Sequence, residues 1–211
     1  LCADPPWPFD DGLPGSNRGA IRNYELMSVQ GICHFPLPDL ASDCALFLWR
    51  VAAMQREALD VAEAWGFKVK TEVIWLKKTV NGNRWFGMGR IVRAEHEVCL
   101  VGTRGRLPVL NRSTRSTFVT DIQATHFEGL SAKAGRHSEK PEEFYKIIES
   151  LYLGPYCELF ARRQRPGWTC IGDELKVENG PLYPSVIRES EAITQRSTAF
   201  EQWLNPSTKI R

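Results

Sequence analysis

The chain opens Leu1-Cys2-Ala3-Asp4-Pro5-Pro6-Trp7-Pro8-Phe9, with a carboxylate, two prolines and an indole in four consecutive positions. These residue types suit one kind of target, an amino group conjugated to an aromatic ring. The lone pair of such an amine is delocalised, so the nitrogen is a poor nucleophile. Two acceptors on its two hydrogens would draw it toward a tetrahedral shape and localise that pair. The Asp4 carboxylate and the Pro5 carbonyl can be those acceptors, and consecutive prolines hold the carbonyl in one direction. Trp7 can then stack on the ring that bears the amine, worth about 1–3 kcal/mol for a nucleic-acid base. A plainer reading competes, a proline-rich turn whose tryptophan packs on the core.

Such chemistry needs elements that position it. CALFLWR (44–50) reads as a buried strand from its length and its mixture of aliphatic and aromatic residues. VAAMQREALDVAEAWG (51–66) carries apolar residues at 51, 54, 58, 62 and 65 and stops at Gly66, which predicts a helix. KVKTEVIWLK (68–77) is a strand, NGNRWFGMGR (81–90) a loop, HEVCLVG (96–102) a strand and STFVTDI (116–122) a short one. A helix follows over 138–152, with Ser138 as N-cap, Pro141 in its first turn, and Glu142 and Glu143 near the positive end of its dipole. YCELFAR (156–162) and WTCIG (168–172) close the set as strands.

Strands separated by helices predict a mainly parallel sheet covered on both faces, a Rossmann-like α/β domain over 1–175. In such sheets ligands bind off the carboxyl ends of the strands. Leu1-Cys2-Ala3 is a strand stub, so Asp4-Pro5-Pro6-Trp7 falls where chemistry is expected.

With 211 residues, 43% of them apolar, the chain can bury one good-sized core. Residues 176–211 turn polar and lose period, which reads as a tail or a partner-binding arm. Leu1 is not an initiator methionine, so residues upstream of it are expected. No window has the apolar length of a membrane span, and no basic-then-apolar signal segment opens the sequence. The six cysteines (2, 33, 44, 99, 157 and 170) form no C-x-x-C pair. That argues against zinc and disulfides, makes Cys44, Cys99 and Cys157 small buried residues, and fits the cytoplasm.

From Lys77 to Arg115, nine basic residues stand against Glu95 and Glu97, a local +7 in a chain of +2. Trp75, Trp85, Phe86 and several glycines are interleaved with them, which suits a groove for a phosphate backbone and a base. The plainer reading is a solvated face. Arg112 and Arg115 are the backbone contacts this count suggests, with Arg104 and Arg106 expected nearer the pocket.

Eight motifs then line up in order: ADPPW, NYELMS, LFLW, VIWLKK, EVCLVGTRG, HSEKPEEFY, ELFARRQRPGW and IGDEL. With them the chain resembles the S-adenosylmethionine-dependent adenine-N6 methyltransferases that carry Asp-Pro-Pro-Trp. That family includes the catalytic subunit of the mRNA adenosine methyltransferase and many bacterial and phage DNA adenine methylases. The resemblance covers residues 1 to about 175 and implies a permuted order, with the catalytic strand first and the cofactor strand last. It accounts for the absence of a glycine-rich F-x-G-x-G loop.

By this resemblance Asp4, Pro5, Pro6 and Trp7 are the catalytic set, and Asp4 faces both the methionine amino group of the cofactor and the target base. Lys140 would pair with the methionine carboxylate. Glu158, Leu159 and Arg162 would line the ribose and sulfonium region, and Asp173 and Glu174 the adenine end. Tyr24, Trp49, Trp75, Lys77 and Glu97 match positions on the acceptor side. For Trp49 and Trp75 the plainer reading is core packing, and for Lys77 and Lys78 a solvated strand end. Asp173 stands where the family often has Asn. The RRQRPGW loop is shorter than in the eukaryotic enzyme, so the carry-over includes Arg162 and stops before Gln164 and Arg165.

The function this implies is methylation of the N6 amine of adenine in nucleic acid, DNA ahead of RNA, with a homodimer or a heteromeric partner and no membrane. A base inside a duplex would be flipped out or taken from a single strand. Amine methylation needs no strong base, so His96 and His137 read as structural. The alternative is a catalytically silent nucleic-acid-binding subunit, but such partners alter the acid and aromatic that are intact here. Cytosine-N4 methylation is disfavoured, since those enzymes carry Ser where Asp4 stands.

Overall fold

The apolar runs of the sequence become the strands of one sheet. They are β1 (Cys2–Ala3), β2 (Cys44–Arg50), β3 (Lys68–Thr79), β4 (His96–Arg104), β5 (Thr117–Ile122), β6 (Tyr156–Leu159) and β7 (Trp168–Ile171). The helices are α1 (Val29–Cys33), α2 (Gln55–Ala64) and α3 (Glu142–Leu151). This computed structural model describes residues 1–9, 26–79, 81–87, 91–122, 140–173 and 175. Tyr24, Arg90, His137, Ser138, Glu174 and the 176–211 segment lie outside the described residues.

The strand order is β5-β3-β4-β2-β1-β6-β7. β1 pairs in parallel with β2 and β6, β6 with β7, and β3 with β5. β4 runs antiparallel to both β2 and β3. The mainly parallel, Rossmann-like α/β sheet expected is therefore present, with one reversed strand. β4 is reversed, and no helix stands between β3 and β4 among the described residues. Asn81-Gly82-Asn83 turns the chain directly, with Gly82 at φ +75° and the Thr79 N–H donating to Asn83 O at 2.8 Å.

β2 is buried from Ala45 to Trp49, so both of its faces must be covered. Phe47 and Trp49 meet Phe144, Tyr145 and Ile148 of α3 on one face, beside Val73, Trp75 and Cys99. Leu46 and Leu48 meet Ala58, Val61 and Ala62 of α2 and Ile32 of α1 on the other. A buried side chain such as Phe144 contributes about 1.5–3 kcal/mol.

Several boundaries differ from the sequence reading. Val51 is extended and Ala52–Met54 form a 3₁₀ turn, so α2 starts at Gln55. Its end is as expected, with Gly66 at φ +80° donating to Glu63 O. α3 starts at Glu142, with Pro141 as an extended N-cap. β6 stops at Leu159 because Phe160 takes φ 59°, a left-handed backbone that costs a non-glycine residue about 1–3 kcal/mol. Cys99 is buried as expected, but Cys44 and Cys157 are only half-buried.

β1 sits between β2 and β6, and the chain builds one side of the sheet before crossing by α3 to the other. The switch point of an open α/β sheet is therefore at the carboxyl ends of β1 and β6, where such folds open a crevice. No helix among the described residues is long and apolar enough to cross a membrane.

Candidate active site

Asp4 follows β1 directly at that switch point. Lys140 comes to it from the residue before Pro141, where the proline restricts it to extended backbone. Lys140 Nζ lies 2.9 Å from Asp4 Oδ2 and 3.0 Å from Glu97 Oε2, with the lysine 6% exposed. Lys77 Nζ, from the end of β3, bonds the other Glu97 oxygen. The result is a chain of alternating charge, Asp4–Lys140–Glu97–Lys77. Burial alone would pull the Lys140 ammonium down, but Asp4 and Glu97 outweigh it and hold the lysine above its ordinary range. Burial would push Glu97 up, but Lys140 and Lys77 bring it down from 4.5 to about 2.

This fixes a pH dependence. Glu97 is depressed in the fold, so its contribution to stability is complete above 4.5 and is lost as pH falls toward 2. Lys140 is raised, so its contribution is complete below 10.5 and is lost only at higher pH. Stability from this network is expected to be level between about pH 5 and 10. Urea midpoints followed across pH will show it, and in Glu97→Gln the acid-side fall should shrink. An equal fall in both proteins would contradict the assignment.

Aromatic rings floor the network. Lys140 Nζ sits 4.9 Å over Trp49, and Lys77 Nζ sits 4.5 Å over Trp75 and 5.0 Å over Trp85. Trp49 and Trp75 are core residues, 1% and 7% exposed, and Trp75 Nε1 donates to Thr120 Oγ1 at 2.7 Å. The plainer reading holds for their bodies, while their faces lie under the charges.

The Pro5 carbonyl accepts the Trp7 N–H at 2.8 Å, closing a tight turn about Pro6 that fixes its direction. A carbonyl has two lone pairs, so one remains after this bond. Trp7 itself corrects the stacking expectation. It is 4% exposed, packs in the α1–α2 cluster, and donates its indole N–H to Trp49 O at 2.9 Å. The ring anchors the turn and presents no free face for a base.

A cleft beside Asp4 is lined by Lys140, Tyr145, Glu158, Phe160, Arg162, Arg163 and Arg165. Glu158 is the last residue but one of β6, next to β1 and paired in register with Cys2. Leu159 is fully buried and holds the strand rather than facing the cleft. Gly172 lets β7 close on the turn after β6, since a Cβ there would lie 2.1 Å from Ala161 O. Asp173 follows it, exposed. The sequence reading missed Arg165 and Tyr145. Tyr145, given no role in the sequence reading, lies on the buried face of α3, and its hydroxyl donates to Glu158 Oε1 at 2.6 Å.

The basic run does not converge. Arg104 ends the reversed β4 opposite Cys44, the first residue of β2, and donates to Leu40 O and Ala41 O. The backbone N–H of Arg106 donates to Asp43 Oδ1. Both therefore lie at the edge away from Asp4 and are not near the pocket. Arg112 and Arg115 precede β5, which is four strands from β1, roughly 19 Å at the usual strand spacing. The structure does not bring them to the cluster. Lys78 and Arg84, exposed and bridged across the β3–β4 hairpin, are on the Asp4 edge.

The family model for MT-A70 matches residues 1–174, nearly all of the described unit. The chain belongs to the MT-A70 family. Its motifs resembled the adenine-N6 methyltransferases, and that is the family found. It is 31% identical over 187 residues to the N(6)-adenosine-methyltransferase MT-A70-like protein of Drosophila melanogaster, covering 83% of this chain and 26% of the fly protein. It is 30% identical over 190 residues to the human N(6)-adenosine-methyltransferase catalytic subunit METTL3, covering 83% and 28%. Mouse N(6)-adenine-specific methyltransferase METTL4 is 30% identical over 184 residues, covering 83% and 37%. The MT-A70 match covers residues 1–174 of the 211, and the chain spans about a quarter of the length of the fly and human relatives.

Proposed function

We propose that this chain transfers a methyl group from S-adenosylmethionine to the N6 amine of adenine in nucleic acid. The observation that carries the reading is the Asp4–Lys140 pair at the switch point. A carboxylate and an ammonium side by side complement the two charges of an amino-acid end, so Lys140 would hold the methionine carboxylate and Asp4 the amino group. Glu158 in the same cleft suits ribose hydroxyls as an acceptor. Arg165 Nε, buried there 4.0 Å from Glu158 Oε2, makes no hydrogen bond among the described residues and has its N–H to offer. The donor set fits. When bound, the cofactor supplies an electrophilic methyl group on a positively charged sulfur.

Asp4 and the Pro5 carbonyl accept the two N–H groups of the amine and favour its tetrahedral form. Positive charge developing on that nitrogen falls beside the Asp4 carboxylate, an interaction stronger in the transition state than in the ground state. The nitrogen, made acidic once it carries the methyl group, gives its proton to water, so no histidine base is needed.

The polymer is the finer part of the reading, with DNA proposed and RNA the alternative. The relatives' names speak of adenosine for METTL3 and adenine for METTL4, which supports the base rather than the polymer. Matched DNA and RNA pools incubated with labelled cofactor, then digested for nucleoside mass analysis, test both parts. Label on N6-methyladenine from one pool decides the polymer. No label from either, with the cofactor bound, leaves the silent-subunit alternative. The human relative is named a catalytic subunit, which supports a heteromeric partner. A cytoplasmic location is likewise proposed, on cysteine usage.

The backbone should cross the Asp4 edge, so Lys78 and Arg84 replace Arg112 and Arg115 as its contacts. Replacing Lys78 and Arg84 by Ala should flatten the slope of log K against log salt by about 1.8 for duplex DNA, or about 1.4 for a single strand. The Arg112/Arg115 double variant should keep its slope. The reverse outcome would place the nucleic acid at the β5 edge.

A further inference from the structure

Glu142, Tyr145 and Glu149 stand at i, i+3 and i+7 on α3 and face the turn between β6 and β7. Trp168 Nε1 donates to Glu149 at 2.8 Å, and the Trp168 ring meets Tyr145 edge-on. The Arg165 guanidinium lies 3.3 Å from the centre of the Tyr145 ring and is ion-paired with Glu142. Arg165 Nε is 4.0 Å from Glu158 Oε2, while the Tyr145 hydroxyl donates to Oε1. Each oxygen of the Glu158 carboxylate thus has its own neighbour, and both neighbours are held by the same helix stripe.

The geometry points to Tyr145 as a positioning residue, which aims the Glu158 carboxylate into the cleft and, with the Arg165 stacked on its ring, sustains its charge for the hydroxyls of the cofactor. This inference rests on the function proposed above. Tyr145 acts through Glu158 and need not touch the cofactor itself.

The charges around Glu158 give the role a measurable sign. It is faced by Cys2 and Asp4 from the β1 side, Tyr145 from α3, Arg163 and Arg165 from the turn, and Cys170 from β7. Burial pushes its carboxyl up, and the Tyr145 hydroxyl and Arg165 draw it back down, while Asp4 adds to the rise. Tyr145→Phe keeps the ring under Arg165 and removes only the hydroxyl. Glu158 should then take up its proton at higher pH, and cofactor affinity should start to fall at higher pH as the solution is acidified.

The test is calorimetry of S-adenosylmethionine binding across pH for the full chain, Tyr145→Phe, Glu158→Gln and the double variant. Tyr145→Phe is expected to lose about 3–10-fold in affinity near neutrality, the range of one hydrogen bond, with its acid limb moved upward. In the Glu158→Gln background the same change should cost less than about 2-fold, because the two residues act as one unit. Arg165→Lys, which loses the planar stack, should move the acid limb the same way and serves if Tyr145→Phe does not fold. Equal losses in both backgrounds, or an unmoved acid limb, overturn the inference alone. A wild-type chain that binds no cofactor overturns the proposed function and this inference together.

Discussion

Asp4→Ala is expected to lose about 10²–10³-fold in the rate of methyl transfer while keeping its fold, the usual cost of one preorganised group. Asp4 is needed most as the amine rehybridises and positive charge builds, so the loss should fall on kcat more than on nucleic-acid affinity. The fold should survive because Lys140 keeps Glu97 as a partner at 3.0 Å, and Asp4 is not part of the hydrophobic clusters. Asp4→Asn should fail as well, since the amide lacks the charge and turns a donor toward the amine. Single-turnover rates beside urea midpoints separate chemistry from folding. Near-normal turnover in Asp4→Ala would remove the mechanism.

Lys140→Ala is expected to weaken S-adenosylmethionine binding by about 1.5–3 kcal/mol, the range for a hydrogen bond to a charged group. That is roughly 10–100-fold in Kd. The same change leaves Asp4 and Glu97 as neighbouring carboxylates that have lost a shared buried cation. Breaking a buried pair costs about 3–5 kcal/mol, and Lys77 beside Glu97 should keep the loss near the lower end. Calorimetry on folded protein checks the first effect and urea unfolding the second. Unchanged cofactor affinity would contradict the role of Lys140, whatever the stability.

The strands were legible because a strand covered on both faces must be apolar where it is buried, and 45–49 and 98–101 are. Strand direction was not, because an apolar run reads the same in either sense. The Asn81-Gly82-Asn83 turn held the only local sign that β4 reverses. Trp7 shows a different limit. Its two readings differ in whether the indole is free, and that is decided by the Trp49 carbonyl, 42 residues away. The charge count from 77 to 115 is linear, whereas β4 carries Arg104 and Arg106 to the far edge of the sheet. Lys140 and Glu97 were named by resemblance, but their bond to each other is a product of the fold. Tyr145 was hidden by its own period, since a residue on the buried stripe of α3 reads as packing until its hydroxyl is seen against Glu158.

The most direct test of the central claim is a single-turnover reaction with methyl-deuterated S-adenosylmethionine and a short oligonucleotide that contains adenine and cytosine, run beside Asp4→Ala. The label should appear on the N6 of adenine alone, and the Asp4→Ala reaction should show almost none. Label on cytosine, label that is equal in the two proteins, or no label from a chain that binds the cofactor would contradict it.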